Sequence, residues 1–252
     1  MAIKKTALKK LIVKTELQVA LTAKELSLNQ KRLLNISQSL VEAKAVELLN
    51  KIASNSNSQV INKARIELIN LIRQEFYSLS EKQVIEYSSK LIEIYNTSRL
   101  TISEFIGTPF NVTNEFQAAR LLQVGRDGTS LSKKIYGNNS TISTRLNTDI
   151  AKLLNRNATL EEIKIAIEKD YNISYNAADR LIRTESSKFY NQAAVDSYKA
   201  AGITQVEFLA EDDACEEFCQ PNDGKIFQLG DSSNVPPLHP NCRCTVLPVI
   251  KE

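Results

Sequence analysis

The sequence predicts a mainly α protein that ends in a small α+β module, in which helices pack on a short antiparallel sheet with a Cys/His metal site. Two observations lead to this prediction. The first 106 residues contain neither glycine nor proline and are rich in Leu, Ile, Ala, Lys and Glu, a composition that favours long helices. All four cysteines and the only histidine fall between Cys215 and Cys244, which indicates a metal-binding segment.

The N-terminal region, residues 1–106, is predicted to be helical throughout. Apolar residues recur at helical spacing from Leu34 to Ile52 and again from Val84 to Phe105. A polar run from Ser54 to Ser58 predicts a break between two helices. Ser80 followed three residues later by Gln83 matches a capping box, so we expect another helix to begin there.

Glycine and proline first appear in residues 107–139, which we predict to be a linker. A second helical block is predicted over residues 140–201. Within it, Thr159 and Glu162 match a capping box, and a further helix is expected from Ser174 onward.

After Gly202, a residue suited to the C′ position of a helix, the hydrophobic pattern changes to the period of a strand. Apolar and polar residues alternate from Val206 to Ala210, which predicts a half-buried strand. A tight-turn signal at Asn222 to Gly224 precedes a second short strand at Ile226-Phe227. A third strand is predicted from Thr245 to Ile250, and its internal proline predicts an edge position.

These patterns divide the chain into three parts. We predict a helical region over residues 1–106, a linker over 107–139 and a C-terminal domain over 140–252. Within that domain, residues 202–252 form the Cys/His module.

The spacing of the module's cysteines suits a structural zinc site. Cys215 and Cys219 are four residues apart, so one helical turn would place both sulfurs on one face. Cys242 and Cys244 are two apart, so an extended segment would also align them, and His239 lies just upstream. Five candidates compete for four tetrahedral positions, so we expect one of His239, Cys242 and Cys244 not to coordinate. About one zinc per chain is expected.

Two disulfides and four free thiols are the alternatives to zinc. The N-terminal sequence has neither a long apolar run nor a small-residue cleavage site, so we expect no signal peptide. Thiols of proteins that stay in the cytosol are usually reduced, and this favours metal over disulfides.

Charge is nearly balanced overall, at +3, but it is unevenly distributed. Acidic residues cluster around the first cysteine pair, whereas the N-terminal segment is basic and forms a candidate contact for DNA or for an acidic partner. The alternative is a solvated helix face. No apolar run has the length of a membrane span, so we expect no membrane partner. The candidate contact residues are Lys4, Lys5, Lys9, Lys10 and Lys14.

Several motifs follow one another in the C-terminal half: DGTSLSKKIYGN, RLIRTESSKFYNQA, a predicted strand, DDACEEFCQPNDGKIF and PPLHPNCRC. In this order they resemble the phage head morphogenesis family, the minor head proteins typified by the Mu F protein. The resemblance extends from about Arg126 to Val249. Besides the Cys/His set, the matching motif residues are Arg183, Glu185, Asp223 and Gly224.

The resemblance implies a structural protein of low copy number inside the procapsid, near the portal vertex. Its expected roles are head assembly and the passage of DNA. Its expected partners are the portal protein and other capsid or scaffold proteins, with phage DNA as a further candidate. A metal-dependent nuclease or another zinc enzyme, with His239 as general base, is one alternative function, and a DNA-binding module is another. A surplus of ligands argues against the enzyme, because a catalytic zinc keeps one position open for water.

Overall fold

Over the residues that it describes, a computed structural model shows five α-helices followed by a small antiparallel sheet, and the predicted fold class is confirmed. The structure describes residues 5–108, 115–125, 128–156 and 158–250, without the side chains of residues 5–9, 115–118 and 232. The helices are α1 (Lys5–Ala53), α2 (Ser58–Ile106), α3 (Glu115–Gln123), α4 (Leu131–Asn155) and α5 (Leu160–Ala200). The strands are β1 (Gln205–Leu209), β2 (Ile226–Gln228) and β3 (Thr245–Pro248).

The predicted break between the first two helices is confirmed, but the predicted helix start at Ser80 is wrong. Helix α2 continues through this position, and the Ser80 hydroxyl donates to the Phe76 carbonyl oxygen within the same helix. The amide of Asn139 donates to Ser80 Oγ at 2.9 Å and to Gln83 Oε1 at 2.7 Å. The two residues that mimic a capping box are therefore buried partners of another helix.

Two boundaries in the second helical block also differ from the predictions. Helix α4 begins at Leu131, inside the predicted linker, because Ser130 caps it by accepting a hydrogen bond from the Lys133 amide. No helix begins at Ser174, since α5 runs through it without interruption. The capping box at the start of α5 is confirmed: the Glu162 amide donates to Thr159 Oγ1, and the Thr159 amide donates to Glu162 Oε2.

The chain forms two compact units, each assembled from distant segments. One unit contains residues 1–26, 87–122 and 180–252, and the other contains residues 27–86 and 123–179. The second unit has an apolar core formed by α1, α2, α4 and α5. The first unit carries the sheet and the Cys/His module. The predicted domains, divided at residues 106 and 139, are each continuous in sequence. The two units are instead each built from segments that are far apart in the sequence.

The sheet has the strand order β2-β1-β3, with both pairings antiparallel. Val206 and Phe208 of β1 are buried and pair with Phe227 and Val246, respectively, so the predicted alternation is confirmed. β3 lies at an edge, as its proline predicts. The Tyr198 hydroxyl donates to the Val246 carbonyl oxygen at 3.2 Å, which fastens this edge strand to α5.

Candidate metal centre

The five predicted ligand residues come together and fall into two groups of three. One group is Cys215, Cys219 and His239, and the other is Cys219, Cys242 and Cys244; within each group the ligand atoms lie within 4.8 Å of one another. Cys219 belongs to both groups. Its sulfur lies 3.7 Å from that of Cys242, close to the roughly 3.8 Å that separates two sulfurs in a tetrahedral zinc site. The donor set therefore suits a metal ion.

Local backbone structure positions both cysteine pairs as their spacing predicts. The Cys219 amide donates to the Cys215 carbonyl oxygen at 3.2 Å, forming a single helical turn. Cys242 and Cys244 point inward on either side of the exposed Arg243. Cys219, Cys242 and Cys244 are at most 2% exposed, whereas Cys215 is only partly buried and occupies the rim of the cluster.

The imidazole of His239 is oriented as a metal ligand would be. Its Nδ1 lies 2.8 Å from the Pro240 carbonyl oxygen, and its Nε2 lies 3.2 Å from Cys219 Sγ. Because a carbonyl oxygen can only accept a hydrogen bond, Nδ1 donates to Pro240, and Nε2 is the ring nitrogen left to coordinate a metal. A backbone carbonyl that fixes the tautomer in this way is typical of metal-ligating histidines.

The environment of the buried thiols separates their protonation states. A hydrogen bond from Cys244 is the main cause that lowers the pKa of Cys242, to about 5, and the Leu238 backbone contributes in the same direction. Burial raises the pKa of Cys219 to about 12, and the hydrogen bond to Cys242 raises the pKa of Cys244. A bound metal ion would favour the deprotonated form of all three thiols.

A threonine on α5 supports the loop that carries the second cysteine pair. Thr184 Oγ1 donates to the Arg180 carbonyl oxygen and accepts a hydrogen bond from the Asn241 amide at 3.0 Å. Asn241 precedes Cys242 and has a φ of 64°, a left-handed conformation that asparagine tolerates better than most residues. The Arg-Thr-Glu motif thus contacts the His-Pro-Asn-Cys motif directly.

Asn191 makes the second connection between α5 and this loop, a role that no pattern in the sequence predicts. The side chain is fully buried, its Nδ2 donates to the Cys244 carbonyl oxygen at 3.1 Å, and its Oδ1 accepts from Thr245 Oγ1 at 3.0 Å. The only signal for this role in the sequence is that Asn191 lies within RTESSKFYNQA.

The other motif residues of α5 contact different groups. Arg183 lines a cleft of about 360 Å³ that borders the candidate metal ligands. Glu185 is 3% exposed and forms an ion pair with Lys188 at 3.4 Å, while Lys188 also donates to the Leu121 carbonyl oxygen. Across the same cleft, Arg243 contacts the carboxylate of Asp213.

Asp223 and Gly224 shape the turn that leads into β2. The Asp223 carboxylate accepts a hydrogen bond from the Ala210 amide at 2.8 Å, and the Gly224 amide donates to the Phe208 carbonyl oxygen at 2.9 Å. Gly224 has a φ of 71°, a conformation that favours glycine. Both residues therefore stabilise the end of β1.

The basic N-terminal residues are only partly described. Lys10 and Lys14 are exposed on α1. The side chains of Lys5 and Lys9 lie outside the described residues, as does all of Lys4. Over the described residues, no helix combines the length and the apolar composition that a membrane span requires.

Comparison with protein families supports the resemblance inferred from the motifs. Residues 144–247, less than half of the chain, match the family model described as Phage Mu protein F like protein. The matched segment contains the α5 motif, all five metal-ligand candidates and most of β3. Comparison with curated proteins and with solved structures found no match.

Proposed function

We propose that this chain is a phage minor head protein that acts in procapsid assembly at or near the portal and in the packaging or ejection of DNA. The observation that carries the proposal is the family match over residues 144–247. Within the matched segment, Thr184 and Asn191 bond to the cysteine-bearing loop. These contacts support a structural role for the motif.

The Cys/His cluster holds one structural zinc ion in this proposal. Cys219 is the central ligand because it belongs to both groups of donors, and the orientation of His239 Nε2 makes that imidazole a further ligand. When bound, zinc would cross-link the turn at Cys215, the loop at His239 and the segment that enters β3.

Metal analysis of the protein purified under reducing conditions tests this part of the proposal. We expect about one zinc per chain, and we expect Cys219→Ser to lose it. Ile226→Ser, at an exposed position of the same module, is the matched control and should retain the metal. A reduced preparation without metal would refute the zinc site while leaving the head-protein proposal standing.

A structural role is favoured over a zinc nuclease for a reason visible in the donor set. Five ligand candidates surround one cluster, which is more than a closed tetrahedral site requires. We expect no cleavage of DNA in the presence of magnesium, manganese or zinc. Metal-dependent cleavage that disappears in His239→Ala would instead establish the enzyme.

The proposed location of the chain in the phage head can be tested with purified particles of the phage that encodes it. We expect mass spectrometry to detect the chain in purified heads, together with the portal and the other capsid proteins. Deletion of its gene should reduce the yield of DNA-filled, infectious particles. Particles that lack the chain and an unchanged yield after deletion would contradict the proposal.

A further inference from the structure

An exposed apolar stripe runs along the first part of α1, in the unit that also contains the Cys/His cluster. Val13, Leu17 and Leu21 follow one another at four-residue spacing, which places them on one side of the helix. They are 62%, 60% and 52% exposed, respectively. Large apolar side chains aligned in this way differ from the scattered exposed residues found on most proteins.

The stripe is accompanied by lysines rather than by a mixture of charges. Lys10, Lys14 and Lys24 are exposed, and each lies three residues from a member of the stripe, close to it on the helix surface. Glu25, an exposed acidic residue nearby, forms an ion pair with Lys90 of α2, whose Nζ lies 3.6 Å from Glu25 Oε1. We call the six residues Val13, Leu17, Leu21, Lys10, Lys14 and Lys24 the α1 surface.

Other residues of this helix are buried and pack against the rest of the unit. Ile12 and Leu26 are at most 1% exposed, and Ile12 packs with Leu247 of β3. Since these buried residues hold α1 in its unit, burial of the α1 surface is not needed to form that unit. The three apolar side chains are therefore available to another molecule.

We propose that the α1 surface binds an amphipathic helix with acidic flanks from another protein of the phage head. An apolar ridge of that helix would cover Val13, Leu17 and Leu21, and its acidic residues would face the three lysines. Exposed ion pairs contribute little affinity, so burial of the stripe supplies the attraction and the charges select the partner and its orientation. The inference rests on the proposed function for the identity of the partner.

Charge also decides against two other occupants. A second copy of this chain would bring the same lysines together across a symmetric interface, and like charges disfavour that pairing. DNA would be attracted to the lysines, but phosphate contacts would leave the central apolar stripe without a matching surface.

Site-specific cross-linking in assembled heads tests the inference. A photo-reactive phenylalanine analogue replaces Leu17 in one variant and Ile85 in the control, since Ile85 is 72% exposed and lies on α2. The expected result is a cross-link from position 17, absent from position 85, to a helical segment of another head protein rich in Asp and Glu. A cross-link to a second copy or to a segment without acidic residues would overturn the proposal, as would equal yields at the two positions.

A second pair of variants measures the contribution of the stripe. We expect Leu17→Ser to reduce incorporation of the chain into heads roughly tenfold relative to Ile85→Ser, because only Leu17 loses apolar burial at the interface. Circular dichroism of both variants checks that the helices remain. Normal incorporation of Leu17→Ser overturns the inference alone, whereas a wild-type chain absent from heads overturns both this inference and the proposed function.

Discussion

Replacement of Asn191 by alanine should loosen the loop that carries Cys242 and Cys244 without unfolding α5, the helix that carries residue 191. Asn191 is fully buried and joins α5 to two consecutive residues, donating to the Cys244 carbonyl oxygen and accepting from the Thr245 hydroxyl. Its Nδ2 also donates to the Ser187 carbonyl oxygen within α5. Alanine favours the helix but provides neither connection.

The expected cost follows from the groups that lose their hydrogen bonds. A buried polar group deprived of its partner costs about 1–3 kcal/mol, and here a carbonyl and a hydroxyl are both affected. The free energy for opening the segment around Cys244 should therefore fall by about 2–6 kcal/mol. At about 1.4 kcal/mol per factor of ten, this corresponds to a loss of hydrogen-exchange protection of roughly 30- to 20,000-fold.

Hydrogen exchange detected by mass spectrometry, on peptides that cover β3, measures this loss locally. Gln192→Ala is the matched control, because the adjacent, partly buried Gln192 bonds only to Asp196 of its own helix among the contacts described. We expect that control to remain within about threefold of the parent protein. Equal protection of β3 in the two variants would show that Asn191 does not hold the loop.

Three further predictions concern the same unit. Cys219→Ser should make residues 202–250 sensitive to limited proteolysis, whereas Cys215→Ser should have a smaller effect because Cys215 belongs to only one group of donors. Burial is the main cause that raises the pKa of Glu16, to about 7, and the charge of Glu211 acts in the same direction. The folded state therefore favours the neutral carboxyl, and ionisation of Glu16 lowers the free energy of unfolding as the pH rises from about 4.5 to 7. Glu16→Gln should therefore raise the free energy of unfolding by about 2–3 kcal/mol at pH 8 but not at pH 4, which chemical denaturation at the two pH values can measure. Gly202→Ala should lower the melting temperature of the protein, at a cost of about 1 kcal/mol, because Gly202 has a φ of 73° at the end of α5.

Local signals in the sequence predicted the elements of the fold better than the contacts between them. The break after Ala53, the capping box at Thr159 and the alternation in β1 depend on neighbouring residues, and all three are confirmed. Ser80 shows the limit of this reasoning. Its spacing from Gln83 is that of a capping box, but both side chains bond to Asn139, a residue 59 positions away from Ser80.

The candidate metal centre was predictable in its composition and not in its arrangement. The spacings of the two cysteine pairs predicted that each pair would share a face, because only a helical turn and an extended segment are involved. The central position of Cys219 and the contact of His239 Nε2 with Cys219 Sγ depend on how two loops meet. Nothing in the spacing of the residues carries that information, and the same is true of Asn191.

Three of the four cysteines that are candidate metal ligands also serve the fold as core residues. The apolar cluster beneath the loops consists of Phe208, Cys219, Cys242 and Cys244, with partly buried neighbours around it. Three strands of at most five residues and so small a cluster bury little apolar surface, so contacts outside the sheet must hold the module. Thr184, Asn191 and Tyr198 provide such contacts at three positions along α5. Because zinc would join the same loops, the α5 contacts and the metal would restrain the same segment, and loss of either should weaken the other.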